Sequence, residues 1–129
     1  MNSPDLSRFS NDDFDRGAGR GKELLWRICR RLFFGDTALK WYATRRCLLR
    51  AFGATVGKGV VVKPGAKITF PWRLRVGDHA WIGEEAWLLN LDEIRLGDNV
   101  CISQRAFLCT GNHDWSDPAF RLVTRPIVV

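Results

Sequence analysis

The chain has 129 residues, 46% of them hydrophobic, and 20 Lys and Arg against 14 Asp and Glu give a formal net charge of +6. This is the length of one domain or part of one, with an apolar content ordinary for a globular protein. No apolar run approaches the length needed to span a bilayer, residues 1–15 are polar and acidic rather than a secretion leader, and two histidines with four scattered cysteines do not make a usual zinc site.

The charge is uneven. Residues 1–15 carry Arg8 against Asp5, Asp12, Asp13 and Asp15; residues 16–52 carry ten Lys and Arg against Glu23 and Asp36; the remainder is near balance. Residues 1–22 show little periodicity and read as an extended arm or loose loop. The run Gly17-Ala18-Gly19-Arg20-Gly21 is not a phosphate loop, because no strand precedes it and no Gly-Lys-Ser/Thr closes it. Residues 23–34 predict a helix, with Leu24, Leu25, Ile28, Leu32 and Phe33 apolar and Arg27, Arg30 and Arg31 between them. Gly35 suits its C-terminal cap. Asp36 or Thr37 suits the N-cap of a second helix over about 38–52, which Gly53 ends. This basic amphipathic pair, residues 23–52, has two compatible readings: a cap over the open edge of the repeat stack that follows, and a peripheral membrane contact. No recognition motif accompanies the charge, so no nucleic-acid partner is expected.

From Val56 to Trp115 the chain repeats every twenty residues, in rows that start at Val56, Val76 and Leu96. Within the rows an aliphatic residue returns every six positions: Val56, Val62, Ile68; Val76, Ile82, Leu88; Leu96, Ile102, Leu108. Val60, Ala66, Ala80, Ala86, Val100 and Ala106 are the small residues four positions on. A six-residue period fits neither a helix nor a simple strand alternation, but it fits the hexapeptides of a parallel β-helix. Each hexapeptide is then one side of a three-sided coil, and coils stack about 4.8 Å apart. Val62, Ile82 and Ile102 should line one interior column. On the third side Trp72, Asp92 and Asn112 occupy the small-residue slot, so that corner should open outward. Cys101 and Cys109 read as small packing residues within the third coil and, with Cys29 and Cys47, as reduced structural thiols. Residues 111–125 break the period and read as a projecting loop. Residues 126–129 read as the lead-in to a further coil. The expected division is an arm (1–22), a helical cap (23–52) and a β-helix (53–129).

These residues resemble the hexapeptide-repeat acyltransferases of left-handed β-helix fold, and within them the colanic acid biosynthesis acetyltransferases. The resemblance rests on the repeat, on Ile68-Thr69-Phe70-Pro71-Trp72, on Gly77-Asp78-His79, on the run 97–103, and most specifically on Thr110-Gly111-Asn112-His113-Asp114-Trp115. It covers nearly the whole chain. It implies a mainly β protein of about three coils behind two short helices, with acetyl-CoA as co-substrate, no metal, a sugar or glycan acceptor, and a homotrimer with the site between subunits. It also implies coils beyond Val129 that supply much of the acetyl-CoA groove, so the cofactor residues are expected outside this sequence. A cytoplasmic protein, with peripheral contact at the inner membrane, goes with that reading.

In the family the histidine matching His113 is the catalytic base. The chemistry needs one, because a sugar hydroxyl is a poor nucleophile at neutral pH and an imidazole can accept its proton as the oxygen attacks a thioester. Asp114 is expected to orient the ring or bind the sugar. Asn90 and Asp92, one coil below, are expected to face the acceptor. Trp115 is expected to stack on the sugar or to pin the loop. His79 reads as a surface turn residue. The competing function is non-catalytic: a truncated β-helix that is either a remnant without activity or a structural or interaction module.

Overall fold

The computed structural model describes residues 3–35 and 39–129. Its centre is a stack of short parallel strands in three walls. The first wall holds β1 (Thr55–Val56), β4 (Leu74–Val76), β7 (Ile94–Leu96) and β12 (Ile127–Val128), in that order. The second holds β2 (Val61–Val62), β5 (Trp81–Ile82) and β8 (Cys101–Ile102), and the third β3 (Lys67–Ile68), β6 (Trp87–Leu89) and β9 (Phe107–Cys109). The register is the sequence repeat itself: Val56 pairs with Val76, Val62 with Ile82, Ile82 with Ile102, and Ile68 with Leu88.

The predicted interior follows. Val62, Ile82 and Ile102 stack and are buried, as are Val60, Ala66, Ala80 and Ala86 at the corners. Alternate residues point outward, because successive side chains of a strand face opposite ways. Cys101 therefore shares an outward column with Val61 and Trp81, and Cys109 lies outward beside Leu89. Both cysteines are exposed, which corrects their reading as interior packing residues.

The corners explain other residues of the repeat. A Cβ on Gly57 would meet the Asp78 carboxylate at 2.4 Å, and one on Gly77 would meet that of Asp98 at 2.4 Å. Those carboxylates accept the backbone N–H groups of Lys58 and Asp78, so each Gly-Asp pair locks one coil to the next. His79 sits in a turn at φ 57°, and Asn99 holds the same place one coil on at φ 58°; it is exposed, as a surface turn residue should be.

Two helices cover the first edge. α1 runs Arg20–Phe33 and α2 Tyr42–Ala51. α1 starts three residues before the predicted boundary, with Gly19 as N-cap and Phe34 as C-cap. The predicted N-cap residues of the second helix, Asp36 and Thr37, and its first residue, Ala38, lie outside the described residues. Gly53 ends α2 at φ +101°, a conformation that favours glycine, and Ala54 N–H then bonds to Leu49 O. Trp26, Phe34, Leu49 and Phe52 are buried between the helices and the first coil.

The basic residues of this segment have a specific task. A first coil has no coil before it, so the carbonyls on its outer edge lack a ladder partner. Arg45, fully buried, donates to Val62 O (2.8 Å) and Phe33 O (2.8 Å). Arg46 donates to Val60 O, Arg50 to Val56 O and Gly57 O, and the Trp26 indole N–H to Ile68 O. The positive charge of α2 is thus turned onto the edge of the stack.

The arm is not a loose loop. Asp5 caps a short 3-10 turn at Leu6–Arg8, and its N–H bonds to Pro118 O. Phe14 stacks on Phe70, which stacks on Trp72. Trp72 donates to Arg16 O (2.7 Å), and Arg73 donates to Asp15 O (2.5 Å) and to Leu91 O. Residues 5–17 form a strap across the third corner, held by aromatic contacts that one-dimensional periodicity does not register.

Candidate active site

After β9 the chain leaves the stack. β10 (Gly111–His113) and β11 (Leu122–Thr124) pair antiparallel, with Gly111 opposite Thr124 and His113 opposite Leu122. The projecting loop is therefore a β-hairpin. The chain then returns to the first wall, where Ile127 pairs with Ile94. That partner lies 33 residues back instead of twenty, and the hairpin accounts for the excess.

Inside the hairpin the connection is tightly bonded. Asp114 N–H bonds to Arg121 O, Phe120 N–H to Asp117 O, and Ala119 N–H to the Asp117 carboxylate. Phe120 is held at φ 52°, a left-handed conformation that a bulky residue adopts only under surrounding constraint. This places both its ring and its carbonyl against His113. The two rings stack at 4.4 Å between centroids and 6° between planes. His113 Nδ1 lies 2.9 Å from Phe120 O. A carbonyl oxygen only accepts, so Nδ1 carries the proton and the Nε2 lone pair is left as the ring's proton acceptor. Phe9 of the strap meets the same imidazole edge-on at 5.2 Å and 70°. His113 is thus held by a stacked ring, a carbonyl and a residue more than a hundred positions earlier.

The other expected site residues fare differently. Asp114 does not orient the imidazole. Its carboxylate accepts from Ser116 N–H (2.9 Å) and Ser116 Oγ (2.5 Å), and the bonds to Ser116 hold its pKa below the usual carboxylate range. It shapes the turn, while the orienting partner is the Phe120 carbonyl.

Asn90 does not face a cleft either. It is fully buried; its Oδ1 accepts from Phe70 N–H (2.8 Å), and its Nδ2 donates to Phe70 O (2.7 Å) and Arg73 O (3.1 Å). Thr110 repeats the device one coil on, donating to Leu89 O and accepting from Asp92 N–H. Both are corner clamps, needed because the short 3-10 turn at Pro71–Arg73 and its successors interrupt the ladder.

Asp92 is part-buried at the base of the hairpin, where its carboxylate accepts from Glu93 N–H and Thr124 Oγ1. It lines a cleft of about 660 Å³ between strap, third corner and hairpin, with Arg8, Asp13, Arg73, Arg121 and Leu122. His113 does not line that cleft, although Leu122, its strand partner, does. Trp115 is 70% exposed at the hairpin connection, so it does not pin the loop, and its ring is open to a ligand.

Sequence reading missed Phe9 and Phe120. The only trace of either was its aromatic character, since one contact depends on a left-handed residue and the other on a strap that folds back over the hairpin. Among the described residues no group of three or more His, Cys, Asp and Glu could hold a metal ion.

No protein-family model matches the chain. The chain is 42% identical over 125 residues to the "Putative colanic acid biosynthesis acetyltransferase WcaF" of Escherichia coli (strain K12), covering 97% of this chain and 69% of the relative. A maltose O-acetyltransferase from Clostridium difficile 630 superposes with a TM-score of 0.68 at 22% identity, over 82% of this chain and 58% of that one. A hexapeptide-repeat-containing acetyltransferase from Vibrio cholerae superposes with a TM-score of 0.67 at 27% identity, over 86% of this chain and 65% of that one. The chain therefore spans less than two thirds of either solved structure. The walls and register described above are those of the left-handed β-helix these proteins share. At 42% identity over nearly its whole length, the chain belongs to the family of the WcaF colanic acid biosynthesis acetyltransferases, within the hexapeptide-repeat acyltransferases.

Proposed function

We propose that this protein is an O-acetyltransferase that moves acetyl from acetyl-CoA to a sugar hydroxyl during synthesis of a surface polysaccharide of the colanic acid type. The observation that carries this reading is the His113 Nδ1 contact to Phe120 O, which commits one ring nitrogen and leaves Nε2 to accept a proton. In the reaction the acceptor O–H gives its proton to Nε2 as the oxygen attacks the thioester carbonyl. The tetrahedral intermediate collapses with cleavage of the C–S bond, and the departing thiolate takes the proton back from the imidazolium. No covalent enzyme intermediate is needed.

Residues 1–22, 23–52 and 53–129 serve in this reading as strap, cap and site-bearing β-helix. Asp92 and Trp115 are the proposed acceptor contacts in this chain, one at the hairpin base and one at its tip. No residue of the chain is assigned to acetyl-CoA. The proposed assembly is a homotrimer; the outward ladder of Trp87 on Phe107, with centroids 4.9 Å apart and both rings exposed, supplies apolar surface for it. The proposed location is the cytoplasm, with peripheral contact at the inner membrane through residues 23–52.

His113→Ala tests the reading. Transfer of labelled acetyl to a polysaccharide acceptor should fall by roughly 10²–10⁴-fold, the usual worth of a general base. Acetyl-CoA binding should be little changed, because the base touches the acceptor hydroxyl. An unchanged rate would remove His113 from the chemistry.

A further inference from the structure

We infer that the outer face of α1 is a docking surface for an anionic lipid bilayer. The inference narrows the peripheral contact proposed above to one helix face and one lipid chemistry, and it does not depend on His113. In α1 the buried positions are Glu23 and Trp26, with Cys29, Arg30 and Phe33 half-buried beside them. The opposite side carries Leu24 (59% exposed), Leu25 (54%), Ile28 (48%) and Leu32 (63%). Positions 24, 28 and 32 follow one another at one helical turn, and 25 lies beside them, so the four form one ridge. A ridge of that kind on a surface helix is the exception, since apolar side chains of an amphipathic helix normally face the core.

Charge decides what the ridge meets. Arg20, Arg27 and Arg31 lie along one flank of it and are exposed. Arg27 places one nitrogen on Glu23 and keeps its side chain 60% exposed. The only acid of α1 is Glu23, which is buried and bonded to Arg16 and Arg27, so the outward surface of the helix carries no negative charge. These arginines differ from Arg45, Arg46 and Arg50, each of which turns at least one guanidinium nitrogen onto a carbonyl of the β-helix. Two copies of this chain meeting antiparallel through the ridge about a two-fold axis would set arginine against arginine. An anionic headgroup layer over acyl chains meets both features at once: the aliphatic side chains enter the acyl boundary and the guanidinium groups stay at the phosphates.

The test is flotation of the purified protein with vesicles of phosphatidylcholine containing phosphatidylglycerol, and with vesicles of phosphatidylcholine alone. Binding to the anionic vesicles should weaken with added salt and be near background on the neutral ones. Arg20→Glu and Arg31→Glu should each weaken it by about fivefold or more. Leu25→Asp with Ile28→Asp should abolish it while the far-ultraviolet circular dichroism is unchanged, both side chains being exposed. His113→Ala should bind vesicles like the unaltered protein, which separates this inference from the acyl-transfer reading. Equal binding to neutral and anionic vesicles, or no binding to either, would overturn it. No vesicle binding together with a smaller assembly in the Leu25→Asp, Ile28→Asp variant would overturn it too, and assign the ridge to a second copy of the chain.

Discussion

At the first edge of the β-helix, the buried Arg45, the half-buried Arg46 and the exposed Arg50 of α2, with the indole of Trp26, close the carbonyls of Val56, Val60, Val62 and Ile68. At the hairpin, a half-buried imidazole has one nitrogen fixed by Phe120 and the other uncommitted. Both regions use polar groups on nitrogen, yet they have opposite tasks. Arg45 spends Nε and Nη1 on carbonyls away from water, with only Nη2 left unpartnered, so the group serves the fold and offers no proton-accepting position for chemistry. Where one proton-accepting position is left open, the group can do chemistry and contributes little to holding the fold. Changes at the cap should therefore move stability and leave turnover, while changes at the hairpin should do the reverse.

Trp26→Ala should break the cap most severely. It removes a fully buried side chain, its contacts with Phe34 and Phe52, and the bond to Ile68 O, and should cost about 3–5 kcal/mol in a denaturant titration. Arg45→Met comes next. It leaves Phe33 O and Val62 O without their donor but keeps much of the volume and removes a buried charge, so the loss should be about 1–3 kcal/mol. A more stable variant would show that burial of the guanidinium outweighs its bonds.

Glu23→Gln should act in a pH-dependent way. The Glu23 carboxyl is held below its ordinary value near 4.5, chiefly by the hydrogen bond from Arg16. A depressed folded pKa means that this contribution is present above the unfolded value and is lost as pH falls through the folded one. Stability of the unaltered protein should therefore fall on acidification below about pH 4.5, and the variant should lack that part of the slope. If the two slopes coincide, the Arg16 and Arg27 bonds contribute nothing measurable.

At the hairpin, Phe9→Ala should lower kcat by about tenfold, with KM for acetyl-CoA unchanged and stability reduced by about 1 kcal/mol or less, because the ring positions His113 without touching substrate. Phe9→Leu should recover part of the rate. An equal loss with His113 already replaced would show that Phe9 acts elsewhere. The smallest effect belongs to His79→Asn, which should leave both stability and turnover within error, since Asn99 takes the same left-handed turn one coil on.

The fold was legible in the residues because the β-helix writes its geometry as a period. One aliphatic residue every six positions and one register every twenty are consequences of stacking, and Val62, Ile82 and Ile102 line up as that period requires. The capping task of residues 23–52 could be argued as well, because an open ladder needs closing. His113 could be singled out as a proton acceptor only through its resemblance to a family, since a lone histidine in a polar loop has no local signature.

What surrounds His113 was decided by tertiary structure. The sequence contains Asn90, Asp114, Phe9 and Phe120 equally plainly, yet nothing local says that the first two are spent on backbone and a turn while the others enclose the imidazole. Those assignments depend on a hairpin leaving the stack at Gly111, on Phe120 taking a left-handed conformation there, and on a strap crossing the corner to reach it. They depend as well on which donors the first coil's carbonyls claim, which turned Arg45, Arg46 and Arg50 of α2 and Arg30 of α1 onto the stack and left Arg20, Arg27 and Arg31 of α1 outward. A repeat determines its own interior because every position sees the same neighbours twenty residues away. The site and the two helix faces are built from contacts made once, between segments with no common period, and only the folded chain brings them together.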